Sequence, residues 1–205
     1  MFSDFALTHA WLIPLLPALA FLVIGFFTRL DKNRSAAIAI TMSSLSFLLA
    51  CGVTWAVVSG HITMEAPFVQ KALWFEIGTV KISMGALVDP MTAMMLMVVT
   101  IVSLLVQIYS VGYMAHDPGA GRFFAFLSLF AASMLGLVIA VNFAQMYVFW
   151  ELVGLCSYLL IGFYYNKISA REAAKKAFIT TRIGDFGLLL GILLLQITFG
   201  TLDFQ

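Results

Sequence analysis

The stretch Tyr147-Val148-Phe149-Trp150-Glu151-Leu152-Val153-Gly154 is the most informative part of this sequence, because it places one carboxyl group inside a long apolar run. Glu151 is the only charged residue between Arg122 and Lys167. A carboxyl group midway along an apolar segment is expensive in lipid, so such a residue is a functional-site hypothesis by default. We therefore expect the chemistry of this chain at Glu151.

The composition predicts an integral membrane protein. Of the 205 residues, 62% are hydrophobic and 10% are charged, whereas ordinary soluble domains are about 25% charged. The net charge of +1 excludes the nucleic-acid-binding class, which needs a clustered basic face. Cys51 and Cys156 both fall within predicted spans, which favours two small buried hydrophobes over a disulfide.

Six apolar segments are each long enough to cross a hydrocarbon core of about 30 Å. The fold class is therefore an all-α polytopic membrane protein with about six transmembrane helices. The first segment lacks a basic N-terminal region, so we interpret it as a retained span rather than a cleaved signal. The very short connection between the fourth and fifth spans predicts an antiparallel helical hairpin. The six spans cover approximately residues 9–29, 36–59, 89–111, 122–141, 143–165 and 173–199.

The basic residues predict the orientation of these spans. Of the basic residues in the connections between spans, only Lys71 and Lys81 lie on one side of the bundle. By the positive-inside rule, the opposite, basic side is cytoplasmic and the N-terminus is outside. The basic side carries eight residues: Arg29, Lys32, Arg34, Arg122, Lys167, Arg171, Lys175 and Lys176.

The connection between the second and third spans predicts a short extramembrane β-hairpin. Residues 74–83 alternate between apolar and polar with period two, which is typical of a hairpin. A two-residue turn at Gly78-Thr79 would give one apolar face and one ion pair between Glu76 and Lys81. The expected pairs are Ile77 with Val80, Glu76 with Lys81, and Phe75 with Ile82.

Two helix starts have recognisable capping chemistry. Asp89 followed by Pro90 predicts an N-cap and a proline at the first helical position. Residues Ser169 to Glu172 fit a capping box that would open the sixth span, and Glu172 with Lys176 would form an i,i+4 pair.

A second set of intramembrane charges lies on the sixth span. Arg182 and Asp185 are three residues apart, so they share one side of the helix and can neutralise each other. Glu151 lies roughly 14 Å into its span and Asp185 roughly 18 Å into the next, from the opposite face. These depths predict one polar cluster of Glu151, Arg182 and Asp185 near the bilayer midplane, acting either as a proton relay or only as a helix-orienting ion pair.

Glycines accompany this predicted cluster. Gly154 lies near Glu151, and three more follow Arg182 at intervals suited to one helix face, where they permit close helix approach or serve packing alone. These three are Gly184, Gly187 and Gly191.

No cofactor motif is visible. The chain has no glycine-rich phosphate loop, no cysteine cluster and no histidine pair at ligand spacing. His9, His61 and His116 fall at span ends or in loops, where solvated histidines are the expected interpretation. We therefore expect no cofactor and no metal in this chain.

Several runs of the sequence are specific enough to indicate a family. They are Tyr109-Ser110-Val111-Gly112-Tyr113-Met114, Asp117-Pro118-Gly119, Gly121-Arg122-Phe123-Phe124, residues 149–163, and Lys175-Lys176-Ala177-Phe178 with Arg182, Gly184, Asp185, Phe186 and Gly187. Together they closely resemble the L subunit (subunit 5) of respiratory complex I, the NADH:quinone oxidoreductase. The resemblance covers essentially the whole chain, as the N-terminal third of such a subunit.

The resemblance implies an antiporter-like proton channel built from inverted repeats of five helices. It implies that Glu151 is the ion-paired glutamate of the first half-channel, and that Arg182 and Asp185 tune it. The family's partner lysine, on a broken seventh helix, is not found in these 205 residues, so we expect no transport by this segment alone. NADH, FMN, iron-sulfur clusters and quinone are expected in partner subunits, and the implied partners of this chain are other complex I membrane subunits and the lipid bilayer.

The implied location is the inner (plasma) membrane of a bacterium, in preference to the mitochondrial inner membrane. The expected division is residues 1–60 for two spans, 61–88 for the hairpin loop, 89–121 for the third span and its loop, and 122–205 for an incomplete first antiporter-like repeat. Two alternatives stay open. One is the homologous subunit of a multi-subunit cation/proton antiporter or a membrane-bound hydrogenase, and the other is a non-conducting membrane scaffold.

Overall fold

The chain folds as a bundle of apolar helices with one two-stranded sheet. The computed structural model describes residues 2–28, 31–77 and 80–204. Five helices, α3 to α7 below, are long and apolar enough to cross a membrane, and the apolar segment Leu12–Phe27 is shorter. In chain order the elements are α1 (Phe2–Thr8), α2 (Leu12–Val23), a π-helical turn (Ile24–Thr28), α3 (Lys32–Val58), β1 (Phe68–Ile77), β2 (Val80–Val88), α4 (Pro90–Tyr113), α5 (Ala120–Val138), α6 (Phe143–Ile161) and α7 (Ile168–Phe199).

The first predicted span is shorter than expected. Helix α2 begins at Leu12 rather than at residue 9, and a separate helix α1 precedes it. At the break, the Thr8 hydroxyl donates to the carbonyl of Asp4, and a ring nitrogen of His9 lies 3.0 Å from the carbonyl of Phe5. Side chains bonded locally to the backbone in this way compete with continuation of a helix. The predicted end of this span at residue 29 lies outside the described residues.

Pro17 leaves a gap in the backbone hydrogen bonding of α2 that a neighbouring helix fills. Proline has no N–H, so Pro17 cannot donate to the carbonyl of Ile13 four residues earlier. The hydroxyl of Ser46 in α3 donates to that carbonyl at 2.6 Å, and both residues are buried. A backbone acceptor in an apolar interior is thereby satisfied across a helix interface, as a membrane protein requires.

The predicted hairpin is present but longer than its sequence signal. Strands β1 and β2 are antiparallel, and all three predicted residue pairs are confirmed. A register shift between Leu73 and Phe75 leaves Trp74 unpaired as a bulge. The Gly78-Thr79 turn and the side chain of Lys81 lie outside the described residues.

The hairpin is fastened to one end of the bundle by the start of α6. The Gln145 side chain holds Gly85 by two bonds, accepting from its N–H at 2.9 Å and donating to its carbonyl at 3.0 Å. Asn142 caps α6 and donates to the carbonyl of Ser83 at 2.7 Å. Lys71 pairs with Asp203 at 2.8 Å, which ties the C-terminal segment to the same end.

The connections that carry basic residues meet at the opposite end. The Lys32 ammonium donates to the carbonyl of Ala115 at 2.7 Å, which joins the start of α3 to the loop after α4. Arg122 at the start of α5 donates to the carbonyl of Phe163 after α6 at 3.4 Å. A hydrogen bond with Asp117 raises the pKa of Tyr164 in the same region. We call this end the basic end and the other the hairpin end.

One predicted helix cap is confirmed and the other is wrong. Asp89 accepts from the N–H of Thr92 at 2.7 Å, with Pro90 at the first position of α4. Helix α7 begins at Ile168, because the carbonyl of Lys167 already accepts from the N–H of Arg171. Ser169 is therefore inside the helix and cannot be its N-cap.

The predicted pair of Glu172 with Lys176 is also wrong. Glu172 pairs instead with Lys175 at 3.1 Å, since positions i and i+3 are also neighbours on a helix surface.

Candidate functional site: an ionic cluster between α6 and α7

Helices α6 and α7 pack against each other and bring their charged residues together. Glu151 lies at the middle of α6, about 12 Å from its start, and Asp185 lies just past the middle of α7. Arg182 lies nearly one turn before Asp185, on the same side of α7. The three residues predicted as one polar cluster are therefore in direct contact.

The guanidinium of Arg182 lies between two carboxylates. Its Nη1 atom forms an ion pair with Oε2 of Glu151 and lies 3.6 Å from Oδ2 of Asp185. Its Nη2 atom donates to the backbone carbonyl of Glu151 at 3.2 Å. Arg182 thus bonds to α6 through both a side chain and the backbone, while it keeps a weaker contact on its own helix.

Trp150 completes the cluster and was not predicted from the sequence. Its indole N–H donates to Oδ1 of Asp185 at 2.8 Å. An indole is a donor only, so Trp150 supplies this carboxylate with a hydrogen-bond donor from the neighbouring helix. The signal that could have identified it is its place beside Glu151, where an aromatic N–H donor can face an intramembrane acid on the next helix.

Two neighbours, Phe178 and Gly154, fix the position of the Arg182 side chain. The guanidinium lies 4.5 Å from the centre of the Phe178 ring, one turn earlier on α7, which is within cation–π range. A Cβ atom at Gly154 would lie 3.2 Å from Nη2 of Arg182, so glycine leaves the space that this side chain fills. Of the glycines predicted to accompany the cluster, Gly154 is the one in close contact.

The other three glycines do not form a close helix contact within the described residues. A Cβ atom added at Gly184, Gly187 or Gly191 would meet no described atom within 4 Å.

The cluster is partly sheltered and borders a cavity. The side chains of Asp185, Glu151 and Arg182 are 9%, 24% and 29% exposed. A cavity of about 610 Å³ lies between α5, α6 and α7, and its lining includes Trp150, Gly154 and Asp185. Nε of Arg182 is buried and has no hydrogen-bond partner among the described residues.

This arrangement can redistribute charge. One cation shared by two carboxylates gives the cluster a formal net negative charge, and the guanidinium can contact either acid. Within the described part of the chain, no group of three or more His, Cys, Asp or Glu residues is placed to hold a metal ion.

Two family profiles match the chain. One, described as "NADH-Ubiquinone oxidoreductase (complex I), chain 5 N-terminus", covers residues 74–124. The other, described as "NADH:quinone oxidoreductase/Mrp antiporter, TM", covers residues 140–205 and so includes the whole cluster.

Curated relatives and a solved structure agree with these profiles. NAD(P)H-quinone oxidoreductase chain 5 of Picosynechococcus sp. is 47% identical in an alignment that covers 96% of this chain and 30% of that protein. The chloroplastic subunit 5 of Zygnema circumcarinatum is 46% identical over 96% of this chain and 28% of that protein. A chain of the archaeal membrane-bound sulfane sulfur reductase shares the fold, with a TM-score of 0.79 at 21% identity over 95% of this chain and 38% of that one.

The membrane-length helices and the profile match over residues 140–205 together define a polytopic membrane protein of the antiporter-like class. Within that class, the chain belongs to the chain 5 family of NAD(P)H-quinone oxidoreductases. It spans about 30% of the length of the curated relatives that it matches.

Proposed function

We propose that the chain is the N-terminal part of a proton-translocating subunit in the membrane arm of an NADH:quinone oxidoreductase. The observation that carries this proposal is the single guanidinium of Arg182 held between Glu151 and Asp185. A cation with two alternative partners in a sheltered site is a switch for the protonation of either partner. The family match supports the proposal, since the relatives are subunits of such oxidoreductases by name.

In the proposed mechanism Glu151 is the group that takes up and releases the proton. While Arg182 is paired with Glu151, the carboxylate stays ionised. When the guanidinium moves toward Asp185, Glu151 loses its counter-charge and takes up a proton at a carboxylate oxygen. Trp150 keeps Asp185 oriented toward the guanidinium through the indole N–H, so the second position of the switch is already built.

The rest of the oxidoreductase completes the proposal. Other membrane subunits of the complex and the bilayer are the partners of this chain, and residues 122–205 are the part of the first antiporter-like repeat that it contains. NADH, FMN, iron-sulfur clusters and quinone belong to partner subunits.

The basic end faces the cytoplasm of a bacterium, which places the N-terminus and the hairpin outside. The separation of Lys32 and Arg122 from the hairpin supports this orientation.

A second candidate is a subunit of a multi-subunit cation/proton antiporter, because the profile over residues 140–205 is shared with Mrp antiporters. The two candidates differ in whether quinone reduction drives transport.

The test replaces Glu151 in the complete subunit within the intact complex. We expect Glu151→Gln to lower proton translocation per quinone reduced in inverted membrane vesicles, with the subunit content of the complex unchanged. Asp185→Asn should cause a milder loss, because the Glu151 pair with Arg182 survives. Glu172→Gln is the matched control, since that carboxylate is on the surface of α7, where it pairs with Lys175.

Translocation at the wild-type level in Glu151→Gln, in a fully assembled complex, would refute the relay role. Loss of the assembled complex in both cluster variants, but not in the control, would favour a scaffold in which the charges only pair helices. Transport that persists without quinone reduction and requires a sodium gradient would favour the antiporter candidate.

A further inference from the structure

A second group of buried polar side chains lies in helices α3, α4 and α5, outside the Glu151 cluster. Gln107 of α4 is 1% exposed, Ser128 of α5 is 0% exposed and Ser43 of α3 is 3% exposed. Neither amide atom of Gln107 has a hydrogen-bond partner among the described residues, and the same holds for the hydroxyls of both serines. Buried polar groups are costly without a partner, so each of these groups calls for one.

The three side chains lie at one level of the bundle. Helices α3 and α5 start at the basic end and α4 finishes there. At 1.5 Å per residue, Gln107, Ser128 and Ser43 lie roughly 9, 12 and 16 Å from those helix ends. A long side chain leans toward the N-terminus of its own helix. For Gln107 that direction leads away from the basic end, toward the level of the two serines.

The packing of the core also brings these residues together. Helices α3, α4 and α5 all pack against one another. Ala39 of α3 and Phe124 of α5 belong to one apolar cluster near the basic end. Ser43 and Ser128 each lie one turn beyond those residues, so the serines continue the facing surfaces of the same two helices.

A different apolar cluster closes this level on the hairpin side. It contains Ala50 of α3, Leu96 of α4 and Leu135 of α5. The three polar side chains thus lie between two apolar clusters and are enclosed by helices of this chain. Their partner is therefore independent of the rest of the complex and of the function proposed for Glu151.

The chemistry of the layer fits water. A glutamine amide offers two donors and an acceptor, and each serine hydroxyl can donate and accept. A buried water typically makes about three hydrogen bonds and can serve the amide and a hydroxyl together. Among the described residues that are buried in α3, α4 and α5 there is no charged side chain, which favours a neutral ligand over an ion.

We propose that Gln107, Ser43 and Ser128 form a binding site for ordered water between α3, α4 and α5. The water links the three helices at a depth close to that of Glu151, but on the other side of the α5 and α6 pair.

A cryo-electron microscopy map of the intact complex, at a resolution that shows ordered water, tests the site directly. We expect solvent density at about 2.7–3.2 Å from the Gln107 amide. A map in which both amide atoms bond directly to protein groups, with no solvent density among the three side chains, would overturn the proposal.

Stability measurements on variants of the intact complex test the shared ligand independently. Gln107→Leu leaves the serines and their water short of a partner, so we expect the unfolding temperature of the subunit to fall. The triple variant Gln107→Leu, Ser43→Ala, Ser128→Ala removes all the polar groups, so we expect it to recover part of that loss. Gln70→Leu on the exposed hairpin is the matched control and should leave the temperature unchanged.

A triple variant that loses as much stability as the three single variants added together would contradict a shared water. An unchanged unfolding temperature in Gln107→Leu would do the same.

Discussion

Polar side chains in this bundle reach across helix interfaces to satisfy groups that lipid cannot. Ser46 donates to a carbonyl of α2, Trp150 to a carboxylate of α7, and Arg182 to a carbonyl of α6. Because lipid offers no hydrogen-bond partners, each such bond replaces one that a soluble protein could make with solvent. A single polar side chain therefore contributes more to the stability of this fold than it would on the surface of a soluble protein.

Ser46 provides a test of this idea. We expect Ser46→Ala to lower the free energy of unfolding by about 1–3 kcal/mol, because the carbonyl of Ile13 loses the donor that replaces the missing N–H of Pro17. Ser44→Ala is the control, since the Ser44 hydroxyl bonds to Ile40 within its own helix. Denaturant titration in detergent measures both variants.

A second substitution separates the hydrogen bond from simple packing. Pro17→Ala restores a backbone N–H that can donate to Ile13, so Ser46→Ala should cost less in that background. Equal losses in both backgrounds would show that Ser46 acts through packing rather than through this carbonyl.

The sequence predicted the roles of the charged residues better than the roles of their neutral partners. Glu151, Arg182 and Asp185 are detectable because charge in an apolar run is rare and costly. The roles of Trp150, Ser46 and Gln107 depend on which helix each one faces. The identity of one residue does not show which neighbouring helix its side chain will meet.

Among the elements, α5 and α6 pack closely against each other near the cluster. A Cβ atom at Gly136 would overlap the ring of Phe149, so the two helices meet over a glycine. Phe149 lies two residues before Glu151, so this contact fixes the position of the part of helix α6 that carries the acid. The short connection at residues 139–142 predicted that these helices are neighbours, but not which residues touch.

We expect Gly136→Ala to destabilise the subunit by about 1–3 kcal/mol through overpacking. Gly112→Ala on an exposed part of α4 should be neutral or stabilising by up to about 1 kcal/mol, because alanine favours a helix more than glycine does. Thermal unfolding of the two variants in detergent makes the comparison. A Gly136 variant as stable as the Gly112 variant would show that the helix contact is loose.

The hairpin shows how much of a β-sheet a local sequence pattern can predict. Period-two alternation predicted its register correctly around Phe75 and Ile82. The strands extend to Phe68 and Val88 because the bundle supplies partners that the alternation does not reveal, such as the two bonds from Gln145 to Gly85. Trp74 breaks the alternation by forming a bulge, which is why the pattern appeared shorter than the sheet.

The whole molecule separates its charges into two ends and a middle. The helix starts that bear Lys32 and Arg122 lie at one end, and the hairpin, held to Asp203 by Lys71, closes the other. Between them the Glu151 cluster is charged, whereas the Gln107 layer is neutral. A difference in charge between the two ends is what the positive-inside rule uses to orient a membrane protein.

In the proposed mechanism, Glu151 exchanges a proton while the complex turns over. Infrared difference spectroscopy of the intact complex, started by addition of reductant, measures the protonation of carboxyl groups directly. We predict a protonated-carboxyl band that appears on turnover, disappears in Glu151→Gln and persists in the control Glu172→Gln. A band of the same intensity in Glu151→Gln would refute this role of Glu151, because the proton would then reside on another carboxyl group.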